Sequence, residues 1–168
     1  MTIYNKILIK ITLLVSLFIA CSLTGKARLE SSVKDITNEI DKAIEEAKKD
    51  GVELDKITDK KAGGKVAGPK IREAKQRAIS LTEKFLKEIE EETIKLKENG
   101  GGKDEFLEMY KLMSKVSKAI EGIGVLKMSE TASQAAEKTP ATTAEGVIGI
   151  AKAMKAKLQN IKAKQNKK

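Results

Sequence analysis

Residues 69–96 read PKIREAKQRAISLTEKFLKEIEEETIKL. Apolar side chains recur at Ile71, Ala74, Ala78, Leu81, Phe85, Ile89 and Leu96, at separations that return to one side of an α-helix. Pro69 suits a first helical position, where its missing N–H leaves no hydrogen bond unmade, and Asn99 with the glycines after it ends the segment. A stripe of this kind must be buried against other helices, so its neighbours decide the architecture.

Those neighbours carry the same period. Leu29, Val33, Ile36, Ile40, Ile44 and Ala47 predict a helix that stops at Gly51, with Ser32 and Asp35 as a capping pattern near its start. Phe106, Met109, Tyr110, Met113, Val116 and Ile120 predict another, capped by Asp104 and ending near Gly122 and Gly124. A shorter Ala-rich helix is expected from about Val125 to Lys138. After Thr139-Pro140 a last one follows a Thr142–Glu145 capping signature and carries Val147, Ile150, Met154, Leu158 and Ile161. No segment alternates with a period of two. The expected fold is all-α, a five-helix bundle with a long basic linker, Val52 to Gly68, between helices 1 and 2.

The chain begins with Lys6 and Lys10 ahead of an apolar run that ends Leu17-Phe18-Ile19-Ala20-Cys21, the layout of a secretory signal followed by a bacterial lipobox. Residues 1–20 are expected to be removed, Cys21 to be lipidated and to anchor the protein to a membrane, residues 21–28 to form a tether, and residues 29–168 to form a single domain. No second cysteine is present to form an intramolecular disulfide.

Composition removes most chemistry. The chain has no His and a single Cys, so no Ser-His or Cys-His pair exists, and its acids lack the spacing of a calcium loop. No enzyme activity, metal or cofactor is expected. GGKVAGPK, residues 63–70, has the outer glycines of a phosphate loop, but Pro69 occupies the place of the lysine that motif requires. Scarce aromatics and a secretion signal argue against nucleic acid as a partner.

Charge is the remaining signal. Lys and Arg number 33 against 24 Asp and Glu, a formal net charge of +9, and no acid follows Glu145. On the last helix Lys157 and Lys164 share one border of the apolar stripe and Lys155 and Lys162 the other, so helical geometry alone leaves open which side meets a ligand. Lys75 borders the stripe of the second helix. If the two helices are adjacent, Lys75, Lys157 and Lys164 rim one groove, with Lys60, Lys61, Lys65 and Lys168 as auxiliary cations. An extracellular polyanion, above all a sulfated polysaccharide, is the partner this pattern favours. The bland alternative is a solvated face that keeps a surface protein soluble. A different class of function, capture of a host protein in an interhelical groove, requires exposed aromatic or Met anchors, whereas the methionines fall mostly on core stripes.

Read in order, the lipobox, ARLESSVKDITNEI, EAKQRA, TEKF, MYKLMSKVSKAI, TTAEGV and IAKAMKAKLQ closely resemble the decorin-binding protein A family of Lyme-disease spirochaetes. The resemblance implies a monomeric five-helix adhesin on the outer membrane surface that attaches to decorin and related proteoglycans through dermatan sulfate or heparan sulfate. It also associates Lys75 in EAKQRA, Lys157 in AKLQ and Lys164 in the next basic turn with glycosaminoglycan binding. The chain ends at Lys168 without the longer cysteine-containing extension of some relatives.

Overall fold

The computed structural model describes the backbone of residues 3–52 and 68–166 and the side chains of residues 25–52 and 69–164. Its described residues form five helices, α1 (Ile3–Lys49), α2 (Gly68–Glu98), α3 (Lys103–Glu121), α4 (Met128–Lys138) and α5 (Ala144–Asn166), and no strand. The helices form a circuit in which α1 meets α2, α2 meets α5, α5 meets α4, and α4 meets α3, which returns to α1. No helix among the described residues is long and apolar enough to cross a membrane.

The expected stripes line one core. Leu29, Ile36, Ile40, Phe85, Ile89, Met113, Val116, Ile120, Val147, Ile150, Met154 and Leu158 are all buried, while Val33, Ile44, Leu81, Tyr110 and Ile161 are partly covered at its edge. α2 buries more than the one stripe. Ile79, Thr82, Leu86 and Thr93 form a second buried line on it, and the two hydroxyls are satisfied by the carbonyls of Ala78 and Ile89 at 2.8 and 2.6 Å. A helix touching α1, α3 and α5 must be apolar over a wide arc, and its threonines can join that arc because each hydroxyl bonds back to its own helix.

Glycine closes helices where left-handed backbone is needed. Gly51 has φ +79 after α1, and the Val52 N–H reaches back to the Ala47 carbonyl at 2.9 Å; Gly124 has φ +86 after α3, with Val125 N–H on the Ile120 carbonyl at 3.1 Å. The expected N-terminal caps are corrected. α1 is already helical before Ser32, which instead donates its hydroxyl to Glu88 Oε2 at 2.8 Å. Gly102, not Asp104, precedes α3, and its N–H is taken by the Glu105 carboxylate at 3.0 Å. At α5 the capping hydroxyl belongs to Thr143, which accepts the Gly146 N–H at 3.0 Å and donates to the Pro140 carbonyl at 2.9 Å. Thr142 has no such bond among those described, and Glu145 pairs with Lys97 on α2. α4 begins at Met128, after a connector in which Ile123 and Val125 are buried.

α1 is continuous across residues 21–28. Gly25 lies against the Glu92 carboxylate of α2, and Lys26 reaches Glu108 of α3 at 3.7 Å.

Candidate anion-binding site

Opposite charges at a shared seven-residue spacing join α2 to α5. Lys155 meets both Glu90 oxygens at 3.2 and 3.3 Å, and Lys162 meets Glu83 at 2.7 Å. Residue numbers fall along α2 as they rise along α5, so the helices are antiparallel, and the Lys75 end of α2 lies toward the C-terminal end of α5. Both carboxylates are largely covered, with side chains 18% exposed for Glu90 and 23% for Glu83. One border of α5 is therefore neutralised within the fold.

The other border is not. Lys157 donates to two neutral oxygens, the Lys127 carbonyl at 2.6 Å and the Thr131 hydroxyl at 2.9 Å. Lys164, seven residues on and about 10 Å farther along the axis, is exposed and has no ion-pair partner among the described residues. Between the two borders, the charge left without a carboxylate partner among the described residues lies on the Lys157–Lys164 side.

Lys75 lies deeper than its expected border position. It is half-buried, on the bearing of the second buried line of α2, and donates to the Gly124 carbonyl at 2.6 Å. Lys75 and Lys157 thus grip the same α3–α4 connector, at carbonyls three residues apart whose Cα atoms are separated by at most about 11 Å. The structure brings these two lysines to one feature and places Lys164 beyond Lys157 toward the same end of α5. Lys60, Lys61, Lys65 and Lys168 lie outside the described residues, as does the Cys21 side chain.

Burial lowers the Lys75 pKa. Burial is also the main cause lowering that of Lys157, with nearby Lys127 acting the same way and Glu130 and Glu121 opposing. Two ammonium groups are thus held against neutral carbonyls with less solvation than a free lysine enjoys. An incoming anion restores what burial removed. Ammonium groups so placed have N–H donors to offer an oxyanion.

A family profile described as Decorin binding protein matches residues 24–168. The chain belongs to the decorin-binding protein family. This is a family of binding proteins, not enzymes. The chain is 51% identical over 160 residues to decorin-binding protein A of Borreliella burgdorferi, covering 94% of this chain and 83% of that one. To decorin-binding protein B of the same species it is 39% identical over 164 residues, covering 94% and 87%. Among solved structures, decorin binding protein A from strain N40 of Borrelia burgdorferi superposes with a TM-score of 0.66 at 42% identity, over 83% of this chain and 84% of that one. The resemblance read from the sequence motifs and the all-α five-helix class both hold.

Sequence reasoning missed what surrounds the lysines. The equal spacing of Glu83 and Glu90 to that of Lys162 and Lys155 was a usable signal for the α2–α5 seam. The Gly124 and Lys127 carbonyls carried none, because every residue has one. Lys127 is itself held at φ 62 in the left-handed region, which no pattern announces for a lysine.

Proposed function

We propose that this chain is an outer-membrane surface lipoprotein, anchored through lipid on Cys21, that binds decorin and related proteoglycans as a monomer through their dermatan sulfate or heparan sulfate chains and so attaches the cell to host extracellular matrix. The observation that carries the glycan part is the unequal treatment of the two α5 borders. Lys155 and Lys162 are matched to carboxylates, whereas Lys157, Lys164 and, from α2, Lys75 keep their full charge against neutral oxygens or solvent. Sulfate esters have acceptors and charge but no protons to give, which fits an ammonium group, a donor without an acceptor. Family membership supports decorin as the carrier, since the relatives are named for binding it.

Capture of a protein in an interhelical groove is less well supported. Met109, Met113, Met128 and Met154 are all buried, and Ile94 is the exposed large hydrophobic residue among those described. The α1–α2–α3 cavity of about 280 Å³ has an apolar floor that includes Leu29, Leu96 and Leu112, but Glu92, Asp104, Glu105 and Glu108 line it with the wrong charge for a sulfated chain.

The test compares intact decorin with decorin stripped enzymatically of its glycan, alongside free dermatan sulfate. Binding is expected to disappear with the glycan and to be competed by the free chain. Equal binding to stripped decorin would move the function to the protein core. Lys75, Lys157 and Lys164 changed together to Ala are expected to weaken dermatan sulfate binding about a hundredfold, at about 1 kcal/mol per lysine. Exposed Lys34, Lys115 and Lys118 changed together are the charge-matched control and should have a far smaller effect.

A further inference from the structure

Lys157 is held by a closed set of hydrogen bonds. Its ammonium donates to the Lys127 carbonyl at 2.6 Å and to Thr131 Oγ1 at 2.9 Å, while Thr131 donates its own hydroxyl proton to the same carbonyl at 2.8 Å. The Lys127 carbonyl also takes the Thr131 N–H at 3.1 Å, so three donors converge on it; the hydroxyl gives its single proton to that carbonyl and accepts from Lys157 on a lone pair. An ammonium group has three N–H donors, so one remains. The nearby acids are otherwise engaged. Glu130 pairs with the Lys127 side chain at 3.1 Å, and Glu121 accepts the Ser129 N–H and hydroxyl at 2.8 and 3.0 Å.

We propose that Thr131 on α4 is a positioning residue for the Lys157 ammonium, fixing it against the α3–α4 connector so that its third N–H is presented to a sulfate oxygen. This rests on Lys157 being a glycan contact. A free lysine has four flexible carbons to order when it binds. Lys157 is ordered in advance, and by neutral groups that leave its charge intact, whereas a carboxylate at Thr131 would hold it equally well and cancel it. Burial that lowers the Lys157 pKa acts in the same direction, because an under-solvated ammonium gains more from an arriving anion.

Thr131→Val tests this because it keeps shape and net charge and deletes only the hydroxyl. Dermatan sulfate titrations of the full chain in mild detergent are expected to show Thr131→Val weakened about threefold to tenfold, the range of one lost hydrogen bond. Thr131→Ser should bind as the native protein does. In a Lys157→Met background Thr131→Val should add no further loss, a result that general damage to α4 would not produce. Thr131→Ala replaces the Val variant if that one melts early. Native binding by Thr131→Val with weakened binding by Lys157→Met would overturn the role of Thr131 and leave the glycan site standing. Native binding by Lys157→Met would overturn both, and so would a chain with no affinity for dermatan sulfate. An equal loss from Thr131→Val in both backgrounds would show that Thr131 does not act through Lys157.

Discussion

The two borders of α5 should separate stability from binding. Lys155→Met with Lys162→Met keeps the apolar stems but leaves Glu90 and Glu83 unpaired at the α2–α5 seam, where their side chains are 18% and 23% exposed. Fully exposed pairs contribute about 0.2–1 kcal/mol. Partial burial puts these at the upper end, so the double variant should lose about 2 kcal/mol, a fall in Tm of about 4–8 °C for a chain of this size. Its dermatan sulfate affinity should drop less than about fivefold, because both cations were already neutralised. Lys157→Met with Lys164→Met removes the same formal charge from the same helix. It should cost about 2 kcal/mol of binding, roughly thirtyfold, and about 1 kcal/mol of stability from the two Lys157 hydrogen bonds. Calorimetric melts and glycan titrations on the native chain and the two double variants give both axes. Equal loss of affinity in the two double variants would refute the reasoning, since only net charge would then matter.

Other consequences follow from separate parts of the structure. Burial lowers the pKa of Lys75 and Lys157 below 10.5, so as pH rises toward that value they lose their protons before ordinary lysines do. Glycan affinity should begin to fall below pH 10.5, while the sign for stability is opposite: these two groups penalise the charged folded state at neutral pH, and the penalty is relieved as pH climbs through their folded pKa. Affinity that stays flat up to pH 10.5 would show that neither group contacts the ligand. Gly146→Ala places a Cβ 1.8 Å from the Pro140 carbonyl oxygen, a backbone atom that cannot swing aside, and should destabilise by about 2–3 kcal/mol in denaturant unfolding. Cys21→Ala in the full precursor should abolish palmitate labelling and membrane retention; undiminished labelling would reject the lipid site.

Most of the helical architecture was legible because a buried stripe repeats in the sequence itself. Phe85, Ile89, Val116, Ile150 and Leu158 were each assigned to the core from spacing alone, and Gly51 and Gly124 end their helices as left-handed residues. Less legible was anything set by contact between helices. Thr82 and Thr93 read as polar, yet are buried because each hydroxyl bonds to its own helix backbone. Ser32 and Thr142 carry capping chemistry, but a cap also requires the chain to leave the helix there. Ser32 lies well inside α1, and at α5 the neighbouring Thr143 supplies the hydroxyl.

The candidate site divides along the same line. Lys75, Lys157 and Lys164 were found by charge pattern and family resemblance, and the structure joins the first two at one connector. Their partners, the carbonyls of Gly124 and Lys127, have no side-chain signature. For that reason Lys75 was expected at a free groove border, whereas it is half-buried and holds the connector in place. Its removal deletes that hydrogen bond and also relieves the burial of a charge, so a binding loss in Lys75 variants has to be judged beside their melting curves.

The central claim is that these lysines hold a sulfated glycan by localised charge, and the most direct measurement is a dermatan sulfate titration of the native chain at several salt concentrations. Saturable binding is expected, with log affinity falling against log salt at a slope of about −2 to −3, as three ammonium groups displace counterions from the polyanion. No saturable binding at low salt, or an affinity indifferent to salt, would contradict the account.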